Sequence, residues 1–331
     1  MASSPGSSLP TAADIADAAE RMKGVAVRTP LLAAPALDAR TGARVLIKPE
    51  VLQRTGSFKF RGAYNRISRL SAAERAGGVV AFSSGNHGQA VAAVARLLGI
   101  PATVVMPADA PDMKIAATRG HGATVVLYRR DREDRETIAN RIVRDYDAVL
   151  VPPFDDPLVI AGQGTVGHEI AEDAAALGVT IDMLLVPCSG GGLIAGATLA
   201  LKDRFPDVAS YAVEPQGFDD TARSLAAGAR APNPPGGHTL CDALMVREPG
   251  VITFALNQKL LAGGIAVSDA EVLAAMKCAF ETLKLVLEPS GAVALAALLA
   301  GRIDARGKTV AVVCSGGNVD ADVFGRALKN S

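Results

Sequence analysis

The sequence predicts an α/β protein of two open, twisted sheets in two domains, and three observations carry that prediction. From Gly77 onward the chain repeats a strand, a glycine or proline turn, and a helix. A second series of the same kind begins at Gly162. The hydrophobic fraction of 49% is rich in Ala, Val and Leu, the composition of helices packed on parallel strands.

Each element has its own signal. Thr11–Met22 has the period of an amphipathic helix, and Arg28-Thr29-Pro30 breaks it. Ala43–Lys48 is a short apolar strand that enters the segment Thr55–Ala63. In the first series, Val79–Phe82 precedes a helix from Asn86 to Leu98, and Ala102–Met106 precedes Pro111–Arg119. Ala123–Leu127 precedes Asp134–Tyr146, and Ala148–Val151 closes the block. Four short buried strands with helices between them make a unit of about 75–80 residues. Pro152–Pro157 is the expected crossing between domains.

The second series runs through a helix from Gly162 to Leu177, strand Met183–Val186, helix Gly192–Lys202 and strand Ser210–Val213. A Pro/Gly-rich loop covers Arg230–Gly237, and helices follow at Val251–Leu261 and Asp269–Leu285. Helix Gly291–Gly301 and strand Thr309–Val313 complete it. The N-terminal strand is expected to join this series. Residues 70–156 would then be a small domain inserted in a large one of residues 1–69 and 157–331.

Composition excludes several function classes. Lys+Arg and Asp+Glu are both 34, so no polyanionic partner such as nucleic acid is implied. Aromatic residues are 4% and Trp is absent, which leaves no stacking platform for single strands. The opening MASSPGSSLP has neither the basic nor the apolar region of a secretory signal. The apolar run Ala292–Ala300 is too short to span a membrane. Cys188, Cys241, Cys278 and Cys314 show no CxxC pairing, and the four histidines are scattered. A cytoplasmic protein without a disulfide framework or zinc site is expected.

Lys59 is the first candidate for chemistry. It lies between Phe58 and Phe60, where a small-residue turn (Thr55, Gly56, Ser57) leads into a helical pattern. Phe60, Ala63, Tyr64, Ile67 and Leu70 fall on one side of that helix. Ser57 is the expected cap, placing Lys59 in the first turn. A desolvated amine there, with Arg61 nearby, would have a lowered pKa and act as a nucleophile. The plainer alternative is a surface lysine lying over its phenylalanines.

Three glycine turns decide between them. In Val186–Gly196 a strand runs into Ser189-Gly190-Gly191-Gly192 and then a helix. Glycines let backbone N–H groups approach an anion, and the helix start adds its dipole. The same residues fit the dinucleotide pattern G-x-G-x-x-A from Gly190 to Ala195, with Glu214 near the ribose-ligand spacing. A nicotinamide dehydrogenase therefore competes, though it leaves Lys59 unused. Phe82–Gly88 and Cys314–Asn318 also follow strands, and they offer hydroxyl, amide and free N–H donors. An amine, a phosphate cradle and such donors suit pyridoxal 5′-phosphate (PLP).

With these motifs in place, the chain resembles the fold-type II PLP enzymes (tryptophan synthase β-like) of the serine/threonine dehydratase and serine racemase group. The resemblance spans about Thr11 to Asn318. It implies that Lys59 forms the Schiff base with PLP and that Phe58 packs beside the ring. It implies Asn86 at the ring hydroxyl, Ser189, Gly190, Gly191, Gly192 and Leu193 at the phosphate, and Ser315 at the pyridine nitrogen. Ser83, Ser84, Gly85 and His87 match the loop that grips the substrate carboxylate, and Arg135 matches an active-site arginine of the racemase-like branch. Ser84 is placed to act as the acid opposite Lys59. The carboxylates of Glu214 and Asp220 and the carbonyl of Phe218 match that branch's site for Mg²⁺ or Ca²⁺.

The implied activity is dehydration and deamination of a β-hydroxy amino acid such as L-threonine or L-serine to a 2-oxo acid and ammonia. Racemisation of serine, dehydration of 3-hydroxyaspartate and dehydration of a hydroxyectoine-derived amino acid are alternatives, as is a PLP-binding protein without catalysis. A homodimer or higher homo-oligomer is expected. Two departures stand out. Ser189 replaces a more usual fourth glycine, and Cys241-Asp242-Ala243 replaces the usual Ala-Asp-Gly near the substrate.

Overall fold

Parallel strands need long crossovers, and this chain supplies a helix for most of them. The computed structural model describes residues 9–83, 85–110 and 112–329. α1 (Ala12–Met22) opens on a capping box: the Thr11 hydroxyl accepts from Asp14 N, and the Asp14 carboxylate accepts from Thr11 N. β1 (Leu32–Ala33), α2 (Pro35–Thr41) and β2 (Arg44–Pro49) follow, then α3 (Lys59–Ile67) and α4 (Ala72–Gly77). Next come β3 (Val79–Phe82), α5 (Asn86–Leu98), β4 (Ala102–Pro107) and α6 (Asp112–Gly120). β5 (Thr124–Tyr128), α7 (Arg135–Tyr146) and β6 (Val149–Leu150) complete that stretch.

α8 (Pro157–Ala176) leads to β7 (Met183–Pro187), α9 (Gly192–Arg204), β8 (Ala209–Pro215) and α10 (Asp220–Ala227). The remaining elements are α11 (Val251–Leu260), β9 (Gly263–Val267), α12 (Asp269–Cys278), α13 (Pro289–Leu299), β10 (Thr309–Cys314) and α14 (Ala321–Lys329).

Two sheets result. The larger has the order β1-β2-β10-β7-β8-β9, parallel except for β1. The smaller is all parallel, in the order β5-β4-β3-β6, and its strands all fall between β2 and β7 in the chain. Central strands β7 and β10 are apolar along their length because both faces are covered. α13 is buried from Pro289 through Leu298.

Glycines let the helices around Lys59 touch backbone to backbone. A Cβ on Gly162 of α8 would stand 2.7 Å from Gly62 Cα of α3, and one on Gly167 would stand 2.1 Å from the Ala197 carbonyl of α9. No larger residue fits either crossing.

The sequence-based boundaries shift where caps or strain intervene. α8 starts at Pro157 rather than Gly162, because the Asp156 carboxylate accepts from Leu158 N and Val159 N. The helix expected over Asp269–Leu285 loses its regular pitch after Cys278, passes through a wider turn at Ala279–Leu283, and ends at Lys284 with φ 59°. β1, β9, α2, α4, α10 and α14 were not anticipated.

Candidate active site

The carboxyl ends of three strands meet around Lys59. Ser57 pairs with Gly316 in an isolated antiparallel bridge, and Phe58 N donates to Ser315 O at 3.1 Å. The turn after β10 thereby holds the segment that leads into α3. Ser57 is not a helix cap, contrary to expectation. Its backbone is extended (φ −161°) in that pairing, and Phe58 occupies the position before Lys59. The Ser57 hydroxyl is buried without a partner.

Lys59 Nζ donates to the Pro153 carbonyl at 2.7 Å and lies 5.0 Å from the Phe58 ring centroid. Burial lowers its pKa to about 8. Arg61 has no part in that shift, as the sequence had suggested it would. Its guanidinium is bound to Glu50 and Glu169 instead.

The strap that carries Pro153 also reaches the glycine turn between β7 and α9. Phe154 packs so closely there that a Cβ on Gly190 would fall 2.3 Å from its ring. Gly191 takes φ 91°, a conformation that side chains resist. α11 fixes the turn from the other side: Thr253 Oγ1 donates to Gly190 O at 2.6 Å and Asn257 Nδ2 to Gly191 O at 3.4 Å. Ser189 Oγ is buried and has no partner, while Gly192 and Leu193 open α9 with first-turn N–H groups. An orphaned hydroxyl beside a helix start fits a phosphate group. The other two turns follow β3 and β10.

Asn86, the first residue of α5, links those turns. Its Nδ2 donates to Glu288 Oε1 at 2.6 Å, and its Oδ1 accepts from Asn318 Nδ2 at 2.8 Å. Glu288 is buried, and burial first, then Asp242, pushes its pKa up to about 8. A neutral acid is thus held beside Asn86 near pH 7. Sequence reasoning missed both Glu288 and the Pro153 carbonyl. A lone acid in the apolar run Leu285-Val286-Leu287-Glu288-Pro289 was the available signal. Ser315 is 5% exposed.

Around the second turn, Ser83 Oγ accepts from Gly85 N at 3.2 Å. His87 is 3% exposed, with Nε2 2.8 Å from the Val151 carbonyl. Burial, then Lys59, lowers its pKa to about 3, so the imidazole is neutral. Ser84 lies outside the described residues. Arg135 is exposed at the start of α7, with its guanidinium 5.3 Å from the Phe82 ring centroid. Among the described residues it has no ion-pair partner.

Glu214, Phe218 and Asp220 sit beyond the glycine turn, behind Cys188. Glu214 is fully buried and accepts from Thr221 N at 3.1 Å and Ala222 N at 3.0 Å, closing the start of α10. That enclosure removes it as a ribose ligand, and the dinucleotide reading fails with it. Burial, then the neighbouring Asp220, raises its pKa well above the carboxylate range. Asp220 accepts from Asn233 Nδ2 at 2.6 Å, but its second oxygen is buried without a partner. Phe218 N donates to Pro215 O, and its ring is nearly buried. Among the described residues no three His, Cys, Asp or Glu side chains gather as a metal site. No helix there is long and apolar enough to cross a membrane.

A mixed α/β fold with a lysine enclosed by three strand-end turns defines a PLP enzyme of fold type II. The chain belongs to the pyridoxal-phosphate dependent enzyme family, which it matches over residues 23–316. It is 45% identical to L-threo-3-hydroxyaspartate ammonia-lyase of a Pseudomonas species, covering 96% of this chain and 98% of that one. Identity to L-threonine ammonia-lyase of Thermotoga maritima is 43%, over 96% of this chain and 78% of the relative. Among solved structures, maize serine racemase superimposes with a TM-score of 0.90 at 36% identity, covering 97% of each chain.

Proposed function

We propose that the protein is a PLP-dependent ammonia-lyase that dehydrates a β-hydroxy amino acid to a 2-oxo acid and ammonia. Lys59 carries the reading: it is a half-buried amine with its pKa lowered to about 8, and its neighbours Phe58 and the Pro153–Phe154 strap touch the turns after β10 and β7. When bound, PLP supplies the electron sink for charge that develops at the substrate Cα. Lys59 Nζ would hold the cofactor and, once freed as a neutral amine, would take the proton from the substrate Cα. Ser189–Leu193 would bind the phosphate, Asn86 would meet the ring hydroxyl and Phe58 would pack beside the ring. Ser315 would offer the ring nitrogen a neutral hydroxyl as its partner, in place of a carboxylate. A neutral partner there would favour loss of the β-hydroxyl over transamination. Ser83, Gly85 and the N–H groups that open α5 receive the substrate carboxylate, with the neutral His87 ring behind them.

Dicarboxylic 3-hydroxyaspartate stands ahead of threonine and serine as substrate. Arg135, exposed and without an ion-pair partner among the described residues, suits a second carboxylate. The 45% and 42% identities to L-threo-3-hydroxyaspartate ammonia-lyases of Pseudomonas and Saccharomyces cerevisiae support the same choice. Glu214, Asp220 and the Phe218 carbonyl would hold Mg²⁺ or Ca²⁺, a fit supported by the orphaned Asp220 oxygen. A small domain at residues 70–156, a homodimer and a cytoplasmic location complete the reading. A panel of L-threo-3-hydroxyaspartate, L-threonine and L-serine, scored for ammonia and 2-oxo acid, tests it. Ammonia release from none of the three would overturn it.

A further inference from the structure

Behind Lys59 lies a group of four charged side chains that the chemistry above does not use. Arg61, two residues along α3 from Lys59, has a side chain 1% exposed and is clamped on two sides. Its Nε and Nη2 donate to the two oxygens of Glu50 at 2.7 and 2.8 Å. Its Nη1 and Nη2 donate to the two oxygens of Glu169 at 2.7 and 2.9 Å. Lys48 Nζ, also buried, donates to Glu169 Oε2 at 2.6 Å and to Thr29 O at 2.6 Å. Thr29 Oγ1 donates to Glu50 Oε1 at 2.6 Å. Two cations face two carboxylates, so the formal charges cancel.

The members come from separate elements. Lys48 is in β2, Glu50 follows it directly, Arg61 is in α3 and Glu169 is in α8. A buried ion cluster is a weak source of stability, because desolvation offsets most of its Coulomb attraction. A planar guanidinium gripped by two carboxylates instead gives direction: α3 cannot slide or turn without breaking paired bonds. The glycine contact between Gly62 and Gly162 fixes how close α3 and α8 lie, and Gly62 N and Asn65 Nδ2 donate across it to Gln163 Oε1 and the Leu158 carbonyl, but these are single bonds where the guanidinium makes pairs.

We propose that the Lys48–Glu169–Arg61–Glu50 cluster is a positioning device that sets the height and rotation of α3, and thereby where Lys59 Nζ stands. The proposal rests on the assignment of Lys59 as the cofactor lysine. Arg61 acts through Lys59 and touches no reacting atom, so it is a positioning residue.

The test compares Arg61→Lys and Glu169→Gln with Ile181→Ala in PLP-loaded enzyme. Ile181, just before β7, is buried in an apolar core and makes none of the cluster's hydrogen bonds, and serves as a control for lost stability. PLP retention on dilution, the pH midpoint of the borohydride-reducible visible band, kcat, KM and Tm are read for each. Both cluster variants are expected to weaken PLP retention about tenfold and to move the midpoint. Their kcat should fall on the order of a hundredfold with KM nearly unchanged, the scale of a 1 Å misplacement. Ile181→Ala should lower Tm while keeping midpoint and retention. If Arg61→Lys does not fold, Glu169→Gln alone carries the comparison. Wild-type retention and midpoint in the folded variants would overturn the proposal. So would changes that merely follow Tm in all three, or failure of both cluster variants to fold. Borohydride labelling of the unaltered enzyme at a lysine other than Lys59 would instead refute the Lys59 assignment itself.

Discussion

Lys59 Nζ donates to the Pro153 carbonyl at 2.7 Å, which ties the first residue of α3 to the strap that wedges Phe154 against Gly190. One short segment therefore registers the amine against the glycine turn. Cofactor capture should depend on the proton state of that amine.

With a pKa lowered to about 8, Lys59 is mostly protonated at pH 7 in the absence of PLP. Only the neutral amine attacks an aldehyde. Schiff-base formation by PLP-free protein should therefore speed up as pH rises and level off above about 8. Rapid-mixing absorbance measures it. A midpoint near 10.5, the ordinary lysine value, would mean that burial does not act on this amine.

Gly191→Asp should lower PLP affinity at least ~tenfold, since its side chain and charge both oppose phosphate binding. The residue would be strained at φ 91°, and its Cβ would stand 2.7 Å from Asn257 Nδ2. Equilibrium dialysis with PLP reads the loss. Unchanged affinity would place the phosphate elsewhere.

Much of this site is legible in sequence because local chemistry specifies it. Glycines that permit φ > 0 and an amine flanked by phenylalanines are visible without a fold. β3 and α5 have the expected bounds, Val79–Phe82 and Asn86–Leu98. Other parts depend on the tertiary arrangement. Glu288 becomes a partner of Asn86 only when α13 docks, although 202 positions separate the two. β9, Gly-Gly-Ile-Ala-Val, lacks the alternation of a half-buried strand and joins the sheet as an edge beside β8. Ser57 looks like a cap until its backbone is seen paired with Gly316.

Chelation should lower both Tm and activity, and Mg²⁺ or Ca²⁺ should restore them. An ion present at a hundredfold over its Kd adds about 2.7 kcal/mol to the folded state. Glu214→Gln should reproduce the chelated behaviour, because the ion would lose one of its two carboxylate ligands. Calorimetric scans with and without chelator decide the matter, and identical scans would remove the ion from the proposal.

Lys114 of α6 donates to Asp242 at 2.7 Å, bridging a helix of the smaller sheet's segment to the loop before α11. Burial pulls the Lys114 pKa down, but Asp242, then Asp320 and Glu288, outweigh it and hold it above the usual value. Asp242 is largely exposed, so the pair contributes ~0–1 kcal/mol to stability. Lys114→Met should leave Tm within a few degrees while raising KM several-fold and flattening its dependence on salt. Steady-state kinetics across a salt series measure this. A KM that stays put would show that the bridge has no part in substrate binding.

The most direct measurement is to reduce the PLP-loaded enzyme with borohydride and map the labelled peptide by mass spectrometry. A single pyridoxyl group on Lys59, absent from Lys59→Ala protein that keeps its circular dichroism, is the expected result. A label on another lysine, or a visible band that survives in folded Lys59→Ala protein, would contradict it.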